Sequence, residues 1–210
     1  MNQTGMMTAE DGGEKMMENI ELTKPRGDER ELAKMRLELA KDSELVGSIP
    51  EPNQSLLMDK LGERLAFERS GTRLYDALMV KCNGSKLMKD IRHIRDEEAT
   101  HFALVGAAIQ SLGGDPTAQT PSADVAGVEG MGLMQVLTDP KTTVAQALHA
   151  ILVAEMTDNA AWDELIELTT QAGNDDLVAR FTKARDEERE HLEKVHGWYK
   201  AATRAAAEEA

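Results

Sequence analysis

The sequence is poor in the residues that several structural classes require. Its one cysteine, Cys82, excludes an intrachain disulfide framework, a four-cysteine zinc site and an iron–sulfur cluster held by one chain. Aromatic residues make up only 3% of the chain, which disfavours all-β and parallel-sheet folds. The longest apolar run, residues 102–109, is far shorter than the roughly 18 residues of a membrane span.

Two further absences concern partners and location. Acidic residues number 38 and basic residues 24, so the net charge of −14 repels nucleic acid and anionic lipid, and we predict neither as a partner. The first residues contain neither the basic nor the apolar segment of a secretory signal. We therefore predict a cytoplasmic protein with no membrane partner.

What the sequence does contain is helix-forming residues arranged in four long periodic segments. They cover about residues 54–80, 86–112, 141–171 and 176 to the C-terminus. Residues 1–50 lack this period and are predicted to form a partly disordered arm with a short charged helix over 28–45. Residues 54–207 are predicted to form one all-α, antiparallel four-helix bundle. The glycine-rich link over 113–140 is predicted to cross the bundle between helices 2 and 3, with at most one helical turn near 132–137.

Each segment has a core stripe, defined by alternating steps of four and three residues along one helical face. In the second and fourth segments this stripe is apolar, then Glu-x-x-His, then apolar again. The first and third segments carry a single glutamate at corresponding steps, in the stripes Leu61, Leu65, Glu68, Thr72 and Leu148, Leu152, Glu155, Asn159. The stripe therefore holds six ionisable residues: Glu68, Glu98, His101, Glu155, Glu188 and His191. The two halves of the chain also repeat each other, since RDEEATHF recurs as RDEEREHL.

Four buried carboxylates would repel one another, and burial of each would cost several kcal/mol. No lysine or arginine lies on the four stripes, so internal ion pairs are not expected to offset this cost. Helix rise places all six residues about 18 to 26 Å from their hairpin turns, so they can meet at mid-bundle. Four carboxylates and two imidazoles suit two divalent ions, about 3.5 to 4 Å apart. A single Glu-x-x-His arises often by chance, but two copies in phase with the core favour the metal site.

These residues resemble the ferritin-like superfamily of di-iron carboxylate bundles, such as bacterioferritin and rubrerythrin, over about residues 54–200. The resemblance implies that Glu98 and Glu188 bridge two metals, while Glu68, Glu155, His101 and His191 each bind one. It implies iron as the metal, with manganese left open because manganese catalases have a similar ligand set. It further implies an oxidoreductase of ferroxidase or peroxidase type that acts on oxygen, peroxide or ferrous iron.

The same resemblance leaves other properties as expectations. A peroxidase would need an external electron donor, because one cysteine cannot supply the rubredoxin-like iron of rubrerythrin. A non-catalytic protein that stores iron is the alternative function. We expect a homo-oligomer, a dimer or larger.

Other polar and aromatic residues lie near the core stripes without belonging to the predicted ligand set. Tyr75 and Trp162 lie two helical turns, about 10 Å, beyond their glutamates and are expected to pack in the core or, alternatively, to relay electrons. Glu97 and Glu187, one residue off the stripe, are expected to face solvent. Four residues lie outside the ligand pattern: Glu63, His93, His149 and His196. Asp76 and Asp163 are candidates for orienting the imidazoles.

Overall fold

The computed structural model describes residues 52–208, with side chains from residue 54 onward, and every element in that range is a helix. In chain order the helices are α1 (Pro52–Lys81), α2 (Met88–Ser111), α3 (Pro121–Thr138), α4 (Val144–Gln171) and α5 (Asp175–Glu208). The prediction of an all-α bundle is confirmed. The predicted arm and its charged helix over 28–45 lie outside the described residues. Among the described helices, none has the length and apolarity to cross a membrane.

Short turns join α1 to α2 and α4 to α5, as the two predicted hairpins require. Gly84 and Gly173 lie in these turns with φ values of 76° and 71°, a backbone region that favours glycine. At the start of α5, the side chain of Asn174 accepts a hydrogen bond from the backbone N–H of Leu177. At the start of α4, Thr143 and Gln146 form a reciprocal capping box.

The crossover differs from its prediction, because it contains the 18-residue helix α3 rather than a single helical turn. Pro121 begins this helix, and the hydroxyl of Thr120 accepts a hydrogen bond from the backbone N–H of Ala123. One of the glycines that suggested a loop, Gly130, instead lets α3 approach α1 closely. A Cβ on Gly130 would lie 2.8 Å from the hydroxyl of Ser70, so only glycine fits there without displacement.

The core has two large apolar clusters, one toward each end of the bundle. One cluster lies near the α1–α2 turn and includes Leu78, Ile91 and Ile151. The other lies near the α4–α5 turn and includes Leu61 and Phe181. Each of α1, α2, α4 and α5 also contributes buried ionisable residues. Along each helix, these ionisable residues lie between residues of one apolar cluster and residues of the other.

Candidate metal centre

All six predicted ligand residues lie together in the middle of the bundle. Their exposed fractions are 2% or less, although every one of them is ionisable. The helices supply them as the sequence pattern predicts: Glu68 from α1, Glu98 and His101 from α2, Glu155 from α4, and Glu188 and His191 from α5. The i, i+3 spacing places glutamate and histidine side by side on α2 and again on α5.

The side chains form two groups that share one carboxylate. Ligand atoms of Glu68, His101 and Glu188 lie within 4.8 Å of one another, and so do those of Glu98, Glu155, Glu188 and His191. One oxygen of Glu188 is 2.6 Å from Nδ1 of His101, and its other oxygen is 3.0 Å from Nδ1 of His191. Each group therefore has its own imidazole and its own glutamate, with Glu188 between them.

A third group extends the cluster by one carboxylate that the sequence analysis missed. Ligand atoms of Asp158 lie within 4.8 Å of those of Glu68, Glu98 and Glu188. Asp158 is 2% exposed and pairs with Arg64, which is also 2% exposed, at 2.5 Å between Oδ1 and Nη1.

Two comparisons relate this chain to known proteins. The family model of the ferritin-like domain matches residues 58–205. The chain belongs to the ferritin-like family. A crystal structure of ferritin-like, diiron-carboxylate proteins from Bacillus anthracis str. Ames aligns with a TM-score of 0.58 at 18% identity. The alignment covers 71% of this chain and 99% of that chain, and it shows a shared fold. No curated protein matches the chain.

The donor set of this ferritin-like chain fits divalent cations. Within the described part of the chain, Oε2 of Glu68 and Oε2 of Glu155 are buried with no hydrogen-bond partner. Buried carboxylate oxygens without partners are costly in a folded protein, and a cation would satisfy them. Carboxylate and imidazole together are ligands that suit iron, manganese and zinc. The cluster is therefore compatible with a di-metal site.

The expectation that no basic residue reaches the core was wrong. The buried face of α1 follows the phase Leu61, Arg64, Glu68, Gly71, rather than Leu61, Leu65, Glu68, Thr72. In α4 the same shift buries Asp158 instead of Asn159. Both phases contain the predicted glutamates, so the choice between steps of three and four did not affect the ligands.

The expectation that Glu97 and Glu187 face solvent was also wrong. Oε2 of Glu97 lies 3.0 Å from Nε2 of His191, and Oε2 of Glu187 lies 2.9 Å from Nε2 of His101. The two contacts are reciprocal, because each carboxylate on α2 or α5 reaches the imidazole on the other helix. A carboxylate at Nε2 fixes the ring orientation and leaves Nδ1 facing the shared glutamate.

The sequence candidates for this orienting role bind arginines instead. Asp76 lies 3.0 Å from Nε of Arg95, and Asp163 lies 2.6 Å from Nη1 of Arg185. Glu97 and Glu187 each precede a predicted ligand, and their side chains reach the facing helix. The assignment of residues to helical faces from their spacing alone does not predict such contacts.

Tyr75 and Trp162 are both buried and neither is placed as a ligand. The hydroxyl of Tyr75 donates a hydrogen bond across the bundle to the carboxylate of Glu155, which is one of the predicted ligands. Burial and the neighbouring carboxylates, Glu155 first, hold the pKa of Tyr75 well above its usual value, and the phenol stays protonated. The indole of Trp162 packs edge-on against His101 with 5.8 Å between ring centroids.

The remaining candidates lie outside the cluster, as expected. Glu63 pairs with Lys60 at 2.7 Å. His149 packs against the ring of Tyr199, and His196 is exposed. The side chain of His93 is 64% exposed.

Burial shapes the protonation of the metal-free cluster. It raises the pKa of Glu68, Glu155 and Glu188 well above 4.5, and repulsion among the carboxylates adds to this effect. For His191 burial acts in the opposite direction, but hydrogen bonding and attraction to the surrounding carboxylates, Glu98 first, raise its pKa to about 9. The metal-free cluster therefore holds protons more tightly than the unfolded chain does.

We expect the metal-free protein to lose stability as pH rises. The raised carboxyl pKa values favour folding below about pH 4.5 and lose their contribution as pH rises through the folded-state values. The raised pKa of His191 likewise stabilises the fold below pH 6.5 and loses this contribution as pH rises through about 9. Melting curves in chelator should show a lower Tm at pH 8 than at pH 6. A metal-dependent rise in Tm should be larger at pH 8, because protons compete with cations for the same atoms.

Glu97→Ala and Glu187→Ala are each expected to weaken metal binding about 10- to 100-fold, since each leaves one imidazole without its outer partner. Isothermal titration calorimetry with Mn²⁺ measures the change in metal affinity. Asp96→Ala is the matched control, because it removes a neighbouring carboxylate that is 63% exposed and pairs with the side chain of Arg95. Equal affinities for Glu97→Ala and Asp96→Ala would mean that the outer carboxylate has no orienting role.

Proposed function

We propose that this chain binds two divalent metal ions, with iron as the working metal, and acts as an oxidoreductase on oxygen or peroxide. The observation that carries the proposal is the position of Glu188, whose two oxygens face the Nδ1 atoms of two different histidines. A carboxylate shared between two imidazoles would allow two cations to bind side by side, as in two-metal sites.

The residues divide into terminal and shared ligands. Glu68 and His101 would hold one ion, and Glu155 and His191 would hold the other. Glu188 would contact both, because it belongs to both groups, and Glu98 would be the second shared ligand, because its ligand atoms also lie within 4.8 Å of those of Glu68. Bound as a pair, iron ions would supply the electrons that reduce oxygen or peroxide.

The space beside the cluster favours a very small substrate. A cavity of about 10 Å³ borders Gly71, Tyr75, Glu98, Glu155 and Asp158. This is about the smallest volume that admits one water-sized molecule. Oxygen and peroxide approach this size, whereas an organic substrate would require the helices to separate.

Tyr75 adds a hydrogen-bond donor at the same place. Its hydroxyl donates to Glu155 and lies at the cavity wall. Because its pKa is held well above the usual value, the phenol keeps its proton and would hold Glu155 in position beside the substrate space. Repeated peroxide turnover would also need an external electron donor, since the chain has one cysteine and no four-cysteine iron site.

The test combines elemental analysis with single-turnover kinetics. Protein loaded anaerobically with Fe²⁺ should retain two ions per chain and should oxidise them rapidly on addition of oxygen or peroxide. Two ions retained without faster oxidation than free Fe²⁺ would instead favour iron binding without catalysis. Retention of manganese with disproportionation of peroxide would favour a catalase reaction. Failure to retain any divalent ion would contradict the proposal.

A further inference from the structure

We propose that Arg64 and Asp158 form a charge pair that matches the centre to two divalent ions, with Arg64 weakening and Asp158 strengthening cation binding. This inference rests on the proposed di-metal function. It concerns two residues that lie outside the six predicted ligands.

The structure holds Arg64 firmly beside the cluster. Its Nη1 lies 2.5 Å from Oδ1 of Asp158 and donates a hydrogen bond to the backbone oxygen of the same residue at 3.2 Å. Its Nε lies 3.1 Å from Oε1 of Glu68. The guanidinium also packs over the rings of Phe67 and Trp162, with 4.4 and 5.6 Å to their centroids. An arginine so enclosed is a fixed positive charge, because it does not lose its proton.

Asp158 brings a negative charge equally close. Its ligand atoms lie within 4.8 Å of those of Glu68, Glu98 and Glu188. In a buried cluster, charges at this distance interact strongly because little solvent screens them. Both members of the pair therefore act on any cation bound by the neighbouring carboxylates.

The internal repeat shows that each half of the site contributes one member of the pair, at a position where the other half has no charge. The repeat that aligns residues 65–78 with 152–165 places Gly71 opposite Asp158 and Ile151 opposite Arg64. Neither charge has a counterpart in the other half. Arg64 or Asp158 alone would leave an uncompensated charge in the buried centre, and the sequence contains both residues.

Counted over the buried acidic and basic side chains, the charges balance when two divalent ions are bound. The four predicted ligand carboxylates carry four negative charges, which two divalent ions neutralise. Asp158 adds a fifth negative charge, and Arg64 cancels it. Among residues 54–208, Arg64 is the one buried lysine or arginine. The centre thus carries an internal cation whose charge is fixed before any metal arrives.

Three variants separate this role from a merely structural one. Asp158→Asn leaves the charge of Arg64 uncompensated and is expected to weaken binding of the second Mn²⁺ at least about tenfold. Arg64→Met leaves Asp158 uncompensated and is expected to tighten it at least about tenfold. The double variant Arg64→Met/Asp158→Asn is expected to bind within about threefold of the parent, since both charges are gone.

The measurement is titration of each metal-free protein with Mn²⁺, with far-UV circular dichroism to establish that each variant is folded. A purely structural ion pair predicts that both single variants weaken binding, so a shift in the same direction overturns the proposal. If Arg64→Met does not fold, weaker binding by Asp158→Asn and recovery in the double variant support the charge role, and absence of recovery overturns it. A parent that takes up no Mn²⁺ or Fe²⁺ overturns the proposed function itself, whereas a parent with two ions leaves that function standing.

Discussion

Glu188→Ala should abolish binding of both metal ions, although it removes one side chain. Glu188 belongs to both ligand groups, and its two oxygens contact the imidazoles of His101 and His191. Without it, each group retains a histidine and a terminal glutamate but loses the anion that lies between the two cations. We expect fewer than one ion per chain by elemental analysis, and no oxidation of Fe²⁺ above the rate in buffer.

The matched control is Glu190→Ala, on the same helix and 73% exposed. It changes the net charge equally but touches only the exposed end of Lys194, so its effect on stability should be about 0 to 1 kcal/mol. The difference in Tm between metal-loaded and chelator-treated protein should persist in Glu190→Ala and vanish in Glu188→Ala. Two ions retained by Glu188→Ala would show that the cluster is not the metal site.

Gly71→Ala should weaken metal binding at least about tenfold without removing any ligand atom. A Cβ at this position would overlap Oε2 of Glu98, so the carboxylate must leave its place in the cluster. Outer contacts that orient a ligand commonly change affinity by about 10- to 100-fold, and direct displacement of the ligand should do at least as much. Titration with Mn²⁺ and the rate of Fe²⁺ oxidation measure the two consequences.

Gly106→Ala provides the comparison, because it makes the same substitution inside a helix of the same bundle. Its Cβ would meet only Leu65, at an ordinary contact distance of 3.7 Å. Alanine is favoured over glycine in helices by about 1 kcal/mol, so Gly106→Ala should be stabilised and should bind metal normally. Equal metal affinity in both variants would mean that Glu98 can move without loss and is not a ligand.

The fold and the convergence of the six polar residues could be predicted because two strong periodic signals coincide. Glu98 with His101 and Glu188 with His191 repeat in phase with apolar residues, and only a shared interior explains polar groups at those positions. Glu68 and Glu155 could be predicted because they lie at about the same distance from their hairpin turns as the Glu-x-x-His residues, and the rise per residue in a helix is constant. Their burial in one cluster confirms the convergence, while their binding of metal stays a prediction.

The errors have different physical causes. Arg64 and Asp158 were missed because an α-helix accommodates buried steps of three then four as readily as four then three. Glu97 and Glu187 were missed because a long side chain that starts beside the core can still turn inward. Helix α3 was missed because its glycines weaken the helical signal of the sequence, although packing against α1 favours the helix.

The reciprocal contacts between α2 and α5 make the centre sensitive to how the two hairpins are aligned. The helices pack mainly within their own hairpins, α2 on α1 and α5 on α4. Across the bundle, Glu97 reaches His191, Glu187 reaches His101, and Glu188 also reaches His101. A slide of one hairpin by a single helical turn, about 5.4 Å, would break all of these contacts together. The six-residue centre is therefore complete only when the two hairpins pack in the correct register along the bundle axis.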